Sequence, residues 1–156
     1  VADTNRIGYY DIIIRWGILD IDARASGVGY WDRRTPQNNQ RVEAYELKIN
    51  PNNESYYLPS PEGGFVQFEN LIGNTVQDGK LILNPGSSWY CPSQLPERMQ
   101  SVARGNVLAE AGRQIAAAHL HSLEVEWLMS DQTAIDEIRD LFRVESINVR
   151  LRFLAE

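Results

Sequence analysis

Residues 123–153 read LEVEWLMSDQTAIDEIRDLFRVESINVRLRF. Leu123, Val125, Trp127 and Met129 alternate with Glu124 and Glu126, the pattern of a half-buried strand. Ser130 or Asp131 can cap a helix over roughly 132–143, with Ile135, Ile138, Leu141 and Phe142 as its apolar stripe. Alternation returns where Ile147, Val149, Leu151 and Phe153 are separated by Asn148, Arg150 and Arg152. Strand, helix, strand in this order is a βαβ unit, which implies parallel pairing and a right-handed crossover. The fold class is therefore α/β.

Working outward, residues 98–119 carry Val107, Leu108, Ala111, Ile115 and Ala118 at helical spacing on one face. Upstream lies NPGSSWYCPSQLP (84–96), a long loop, preceded by FVQFENLI and KLILN, two candidate short strands around Asp78-Gly79. NPNNESYYLPSPEGG (50–64) reads as another long loop, and loops of this length tend to be functional or mobile. Residues 28–32 and 41–49 read as the arms of a hairpin joined by Pro36, Asn38 and Asn39. The start of the chain suggests a helical piece near 5–14 and a strand near 17–23.

With 156 residues, 43% of them hydrophobic and 23% charged, the chain has the size and composition of one ordinary globular domain, 1–156. No apolar run approaches a membrane span and no signal-peptide pattern opens the chain, so no membrane partner is expected. The first residue is Val, and the domain is expected to be the C-terminal part of a longer chain. A single cysteine, Cys91, leaves no internal disulfide framework and no cysteine-rich zinc site. The net charge of −6 argues against a broad nucleic-acid footprint, but it is unevenly spread. Residues 1–50 hold seven basic and seven acidic side chains, whereas 51–96 and 97–156 each contribute −3. Only Lys48 and Lys80 are lysines.

The hairpin WDRRTPQNNQRVEAYELKI (31–49) is the first candidate site. On a strand, Glu46 and Lys48 project to the same face. If the arms pair about residue 39, Asp32 lies opposite Glu46, and the two carboxylates can converge on one Mg²⁺ or Mn²⁺ with Lys48 beside it. Such a cation polarises a phosphodiester and acidifies an attacking water, while Lys48 stabilises developing charge. Arg33, Arg34 and Arg41 supply local positive charge for a nucleic acid. Asp20 and Asp22 are alternatives to Asp32 as the second carboxylate. The competing reading is a hairpin with Asp32 in a turn and Glu46 and Lys48 paired on the solvent face.

The segment AGRQIAAAHLHSLEVEWLMSDQTAIDEIRDLFRVESINVRLRF resembles restriction-endonuclease-fold toxin family 5 of the bacterial polymorphic toxins. The similarity rests on Arg113-Gln114 followed by Ala116 to Ala118, on Val125-Glu126-Trp127, on Leu141-Phe142 and on the strand Ile147 to Phe153. It covers about 110–154, and the hairpin by motif only. The resemblance implies a restriction-endonuclease-like fold: a mixed central sheet with an antiparallel catalytic hairpin, flanked by helices. It implies an aspartate and an acidic-x-Lys motif that map onto Asp32, Glu46 and Lys48. It also implies a helix polar residue, Gln114, that faces the catalytic strand and helps position the lysine or a phosphate, with Arg113 as a substrate contact; the competing reading is that Gln114 and Arg113 cap a helix edge or bond to nearby backbone. The implied function is a metal-dependent nuclease, DNA favoured over RNA, serving as a secreted effector delivered into the cytoplasm of a target bacterium and blocked by a cognate immunity protein. A non-catalytic nuclease-fold binding module and, more distantly, an acidic immunity protein are the alternatives.

Three further groups carry possible chemistry. His119 and His121 form an H-x-H pair at a helix end, where they diverge and lack a third ligand. Ser87 or Ser88 has no nucleophile-elbow context. Tyr56, Tyr57, Trp89 and Tyr90, in the two long loops, can stack on bases, dock a partner or anchor their loops.

Overall fold

The computed structural model describes residues 29–156. The expected helix at 5–14, the strand at 17–23, and Asp20 and Asp22 lie outside the described residues. Within them the protein is mixed α/β, with two sheets and three α-helices. One sheet has the order β1 (Tyr30–Arg33), β2 (Glu54–Pro59), β3 (Phe65–Phe68), all antiparallel. The other has the order β4 (Asn70–Ile72), β5 (Thr75–Lys80), β6 (Glu124–Met129), β7 (Arg150–Phe153). Here β4 is antiparallel to β5, while β5, β6 and β7 run parallel. A single residue, Glu69, separates β3 from β4, so the chain passes from one sheet to the other at that point.

The C-terminal unit follows its periodicity. Helix α3 (Gln132–Val144) joins β6 to β7, and its N-cap is Asp131, whose carboxylate accepts from the Ala134 N–H at 2.9 Å. Ser130 accepts instead from the Ile82 N–H. Helix α2 (Glu97–His119) buries Ala103, Val107, Ala111, Gln114, Ala117 and Ala118, a narrow stripe of mostly small side chains that lets its backbone approach β6. Trp127 is fully buried at the centre of the main core, edge-on to Tyr90 and Phe142. No helix among the described residues is long and apolar enough to cross a membrane.

The segment 41–49 differs from expectation: it is the helix α1 (Gln40–Ile49), not a hairpin arm. Asn39, read as a turn former, is its N-cap, and its side-chain oxygen accepts from the Arg41 and Val42 N–H groups. Glu43 in the first turn and Lys48 in the last both complement the helix dipole. The alternation of apolar and polar residues fits either element, but Tyr45 and Ile49, the two buried positions, are four apart and share a helix face. The true partner of β1 is β2, so Tyr56 and Tyr57 belong to a strand rather than a loop. Asp78-Gly79 is likewise inside β5 rather than between strands. Gly79 leaves room there for α1, which lies against that face: a Cβ at 79 would stand 2.5 Å from Ile49 Cδ1, and the end of that side chain would have to shift.

The cap gives a direct test of α1. Asn39→Ala is expected to lower stability by about 1 kcal/mol in urea denaturation, together with a loss of helical circular dichroism. An unchanged midpoint would mean that the cap contributes nothing.

Candidate active site

Strand alternation sends Asp78 and Lys80 to one face of β5, toward α2, and Gln77 and Gly79 to the other. Lys80 is 5% exposed and Asp78 8% exposed. The Lys80 ammonium donates to Asp78 Oδ2 at 2.7 Å and to Glu110 Oε2 at 2.5 Å. Gln114, one helical turn beyond Glu110 on α2, donates from Nε2 to Asp78 Oδ2 at 2.5 Å. Its Oε1 accepts from the Trp127 indole at 2.7 Å. An indole N–H can only donate, so Trp127 fixes which end of the Gln114 amide faces Asp78. In the parallel register Trp127 stands beside Asp78, which is why the three groups meet.

Glu69 completes the group. Pairing between β4 and β5 extends only from Thr75 to Gln77, with the Glu69 N–H donating to the Gln77 carbonyl at 2.9 Å. Beyond that point the Glu69 side chain takes over, and its Oε1 accepts from the Gly79 N–H at 2.6 Å. Glu69 is thereby held against Asp78, and both line a cleft of about 280 Å³ with Gln67, Glu110, Arg113 and Gln114. Among the described residues, no three carboxylate, imidazole or thiol groups are grouped so as to enclose a metal ion by themselves.

The electrostatics are lopsided. Burial, followed by the charge of Asp78, pushes the Glu69 carboxyl well above the ordinary carboxylate range. Burial works the same way on Asp78, but the charge of Lys80 and hydrogen bonds from Glu69, Lys80 and Gln114 outweigh it and hold Asp78 low. Burial alone would push Lys80 down, yet Asp78 and Glu110 hold it above its usual value, so it stays an ammonium. The two neighbouring carboxyls are thus pushed in opposite directions, Glu69 up and Asp78 down. Glu46, on α1, feels the Asp78 charge but is raised chiefly by burial, opposed by its bond to Arg34.

Of the residues singled out from the sequence, Gln114 belongs to this cluster and Arg113 is exposed on the cleft wall. Glu46 points to Arg34 at 2.8 Å, and Arg34 is buried between Glu43, Glu46 and Asn53 rather than open to a phosphate. Asp32 is exposed on β1 opposite Ser55, not Glu46, and accepts from the Arg33 N–H at 2.7 Å. Because α1 is helical, Glu46 and Lys48 do not share a face; Lys48 donates to the Ala155 carbonyl at 2.8 Å. Arg41 is exposed and pairs with Glu156. His119 closes α2, and His121 lies in the turn after it, where burial lowers its imidazole pKa.

Glu69, Asp78, Lys80 and Glu110 were missed. The signal for two of them was present: both lysines of the chain follow an acid by two residues, in Glu46-Leu47-Lys48 and in Asp78-Gly79-Lys80. The glycine inside the second motif disguised it as a turn. Val125-Glu126-Trp127 also divides cleanly, with Trp127 facing the cleft group and Glu126 facing the other side of the sheet. There Glu126 accepts from Gln77, Arg150 and Arg152, which outweigh burial and lower its pKa.

Comparisons with protein-family models, curated proteins and solved structures return no match for this chain.

Two outcomes test the geometry. Trp127→Phe keeps most of the buried ring but leaves Gln114 Oε1 without its donor, and is expected to cost about 1–3 kcal/mol in urea denaturation. Glu69→Gln tests the proton. A raised acid pKa means that the folded state binds the proton more tightly, so this group's stabilising contribution is present at low pH and lost as pH rises through its folded pKa. In a chelating buffer, Glu69→Gln should therefore be the more stable protein at pH 8, with its advantage shrinking as pH falls into the ordinary carboxylate range. Parallel stability curves for the two proteins would remove the proton from Glu69.

Proposed function

We propose that this domain is a metal-dependent endonuclease with a restriction-endonuclease-like fold, worked by Glu69, Asp78, Lys80 and Gln114. The observation that carries the reading is the Asp78-Gly79-Lys80 segment of β5, an acidic-x-Lys motif whose Asp78 lines a cleft together with a second carboxylate, Glu69, while Lys80 is bound to Asp78 behind it. The donor set fits a hard divalent cation. Mg²⁺ and Mn²⁺ take one or two carboxylates and fill the remaining positions with water and phosphate oxygens. The Asp78 charge that helps raise the Glu69 pKa is the kind of repulsion that such a cation relieves. Asp78 and Glu69 would hold it, and it would polarise a phosphodiester and acidify an attacking water.

The chain's own groups supply the rest. Glu69 must release its proton to act as a ligand, so cation loading strengthens with rising pH. Gln114, oriented by Trp127, holds Asp78 in one rotamer. Lys80 remains a cation and offsets negative charge gathering at the phosphate. Arg113 on the cleft wall is available to an incoming phosphate. With a net charge of −6, nucleic-acid affinity has to come from such local contacts.

The family resemblance over 110–154 supports a biological setting: an antibacterial effector, DNA favoured over RNA as substrate, acting in the cytoplasm of a target cell and neutralised by an immunity protein. A second reading, a nuclease-fold module that binds without cutting, is favoured by one observation. Lys80 is almost wholly buried and already engaged by two carboxylates.

Plasmid cleavage in Mg²⁺ or Mn²⁺ decides between them. Asp78→Ala and Lys80→Ala are each expected to lower the rate by about 10²–10³-fold, whereas Lys48→Ala and Asp32→Ala stay within about twofold of wild type. Loss of cleavage in Lys48→Ala with Lys80→Ala unaffected would move the site to α1. If neither DNA nor RNA is cut with either metal, the binding module stands.

A further inference from the structure

We propose that Glu110 is a positioning residue for Lys80, with Tyr90 fixing Glu110 in turn. The functional part of this inference rests on the nuclease reading of the cleft. Glu110 belongs to no motif, and it comes to the site only through the packing of α2 against the sheet. Its carboxylate has two occupations: Oε2 accepts from Lys80 at 2.5 Å, and Oε1 accepts from the Tyr90 hydroxyl at 2.8 Å. Tyr90 comes from the segment between β5 and α2, and its ring stands edge-on to Trp127 with centroids 5.7 Å apart. Lys80 Nζ in turn lies 4.6 Å from the Trp127 ring centroid and 5.3 Å from that of Tyr90.

The need for Glu110 follows from the lysine side chain. Its ammonium is a point charge on a flexible four-carbon stem, and one partner does not fix it. Asp78 lies two residues away on the same strand, so it constrains the ammonium from one element only. Glu110 adds a second anchor from a different element, and the Trp127 and Tyr90 rings flank the ammonium. The groups around the ammonium are thus Asp78 from β5, Glu110 from α2, and Tyr90 and Trp127, with Glu69 beyond Asp78. Held this way, the cation has one defined place beside Asp78. Without Glu110 the same charge is spread over several rotamers, and a fixed electrostatic contact to a reacting phosphate is lost.

The chain holds only two lysines, so ¹⁵N-lysine labelling of the whole protein gives two side-chain ammonium signals, and Lys48→Arg assigns them. At one fixed pH the Lys80 signal should exchange slowly in the wild type. It should shift and exchange faster in Glu110→Gln, recover most of its character in Glu110→Asp, and shift in the same direction but less in Tyr90→Phe. In Mg²⁺-dependent plasmid cleavage, Glu110→Gln should lower kcat by about tenfold with KM within about twofold, and Glu110→Asp should regain most of the loss. A Lys80 signal unmoved in both Glu110→Gln and Tyr90→Phe overturns the proposal. So does an unchanged kcat in Glu110→Gln beside a cleaving wild type. A wild type that cuts nothing, with a Lys80 signal that still responds, removes the nuclease reading and leaves the positioning contact standing.

Discussion

One buried ammonium organises the centre of this domain. Lys80 is almost wholly buried, and a charge taken from water is tolerated only when it is paired and hydrogen-bonded. Asp78 and Glu110 meet that demand, and each brings an element with it. Asp78 is then bound by Gln114, and Gln114 by Trp127, so that β5, β6 and α2 are joined through polar contacts as well as apolar packing. Removing one member of such a pair leaves an uncompensated charge, at a cost of about 3–5 kcal/mol. The alanines of α2 serve the same arrangement, since a bulkier stripe would hold Glu110 and Gln114 too far from the sheet.

The two faces of β5 divide the work. Asp78 and Lys80 face the cleft group, while Gly79 makes room for Ile49 and Tyr45 on the opposite face. Glu69 sits where the chain leaves one sheet for the other, and its carboxylate accepts the Gly79 N–H at a place where β4 no longer pairs with β5. This satisfies a backbone donor that β4 leaves unpaired, but it also sets Glu69 beside Asp78. The outcome is a carboxyl whose pKa is pushed up beside one whose pKa is held down, a perturbation of the kind that clusters at working sites.

The C-terminal half was legible because its signals are local. A cap at Asp131, an apolar stripe from Ile135 to Phe142 and alternation on both sides need no knowledge of partners, and β6, α3 and β7 lie where that pattern sets them. Gln114 was legible only through the family resemblance, which sets a polar helix residue toward the catalytic strand. The segment 41–49 was misread because its apolar and polar residues satisfy both periods. The difference lay in Asn39, which serves a turn and a helix cap equally well, and in the spacing of Tyr45 and Ile49.

The sequence by itself determined the α/β class, the parallel C-terminal unit and the presence of two acidic-x-Lys pairs. Which pair stays together and reaches the cleft, through Asp78, was decided by tertiary structure. Residues two apart share a face on a strand and diverge by about 200° on a helix, so Asp78 and Lys80 act together while Glu46 and Lys48 separate. The remaining partners are far apart in the chain: 36 residues separate Asp78 from Gln114 and 30 separate Lys80 from Glu110. No local pattern encodes contacts at that distance. They exist because β5 and β6 pair in one parallel register and α2 packs closely across them.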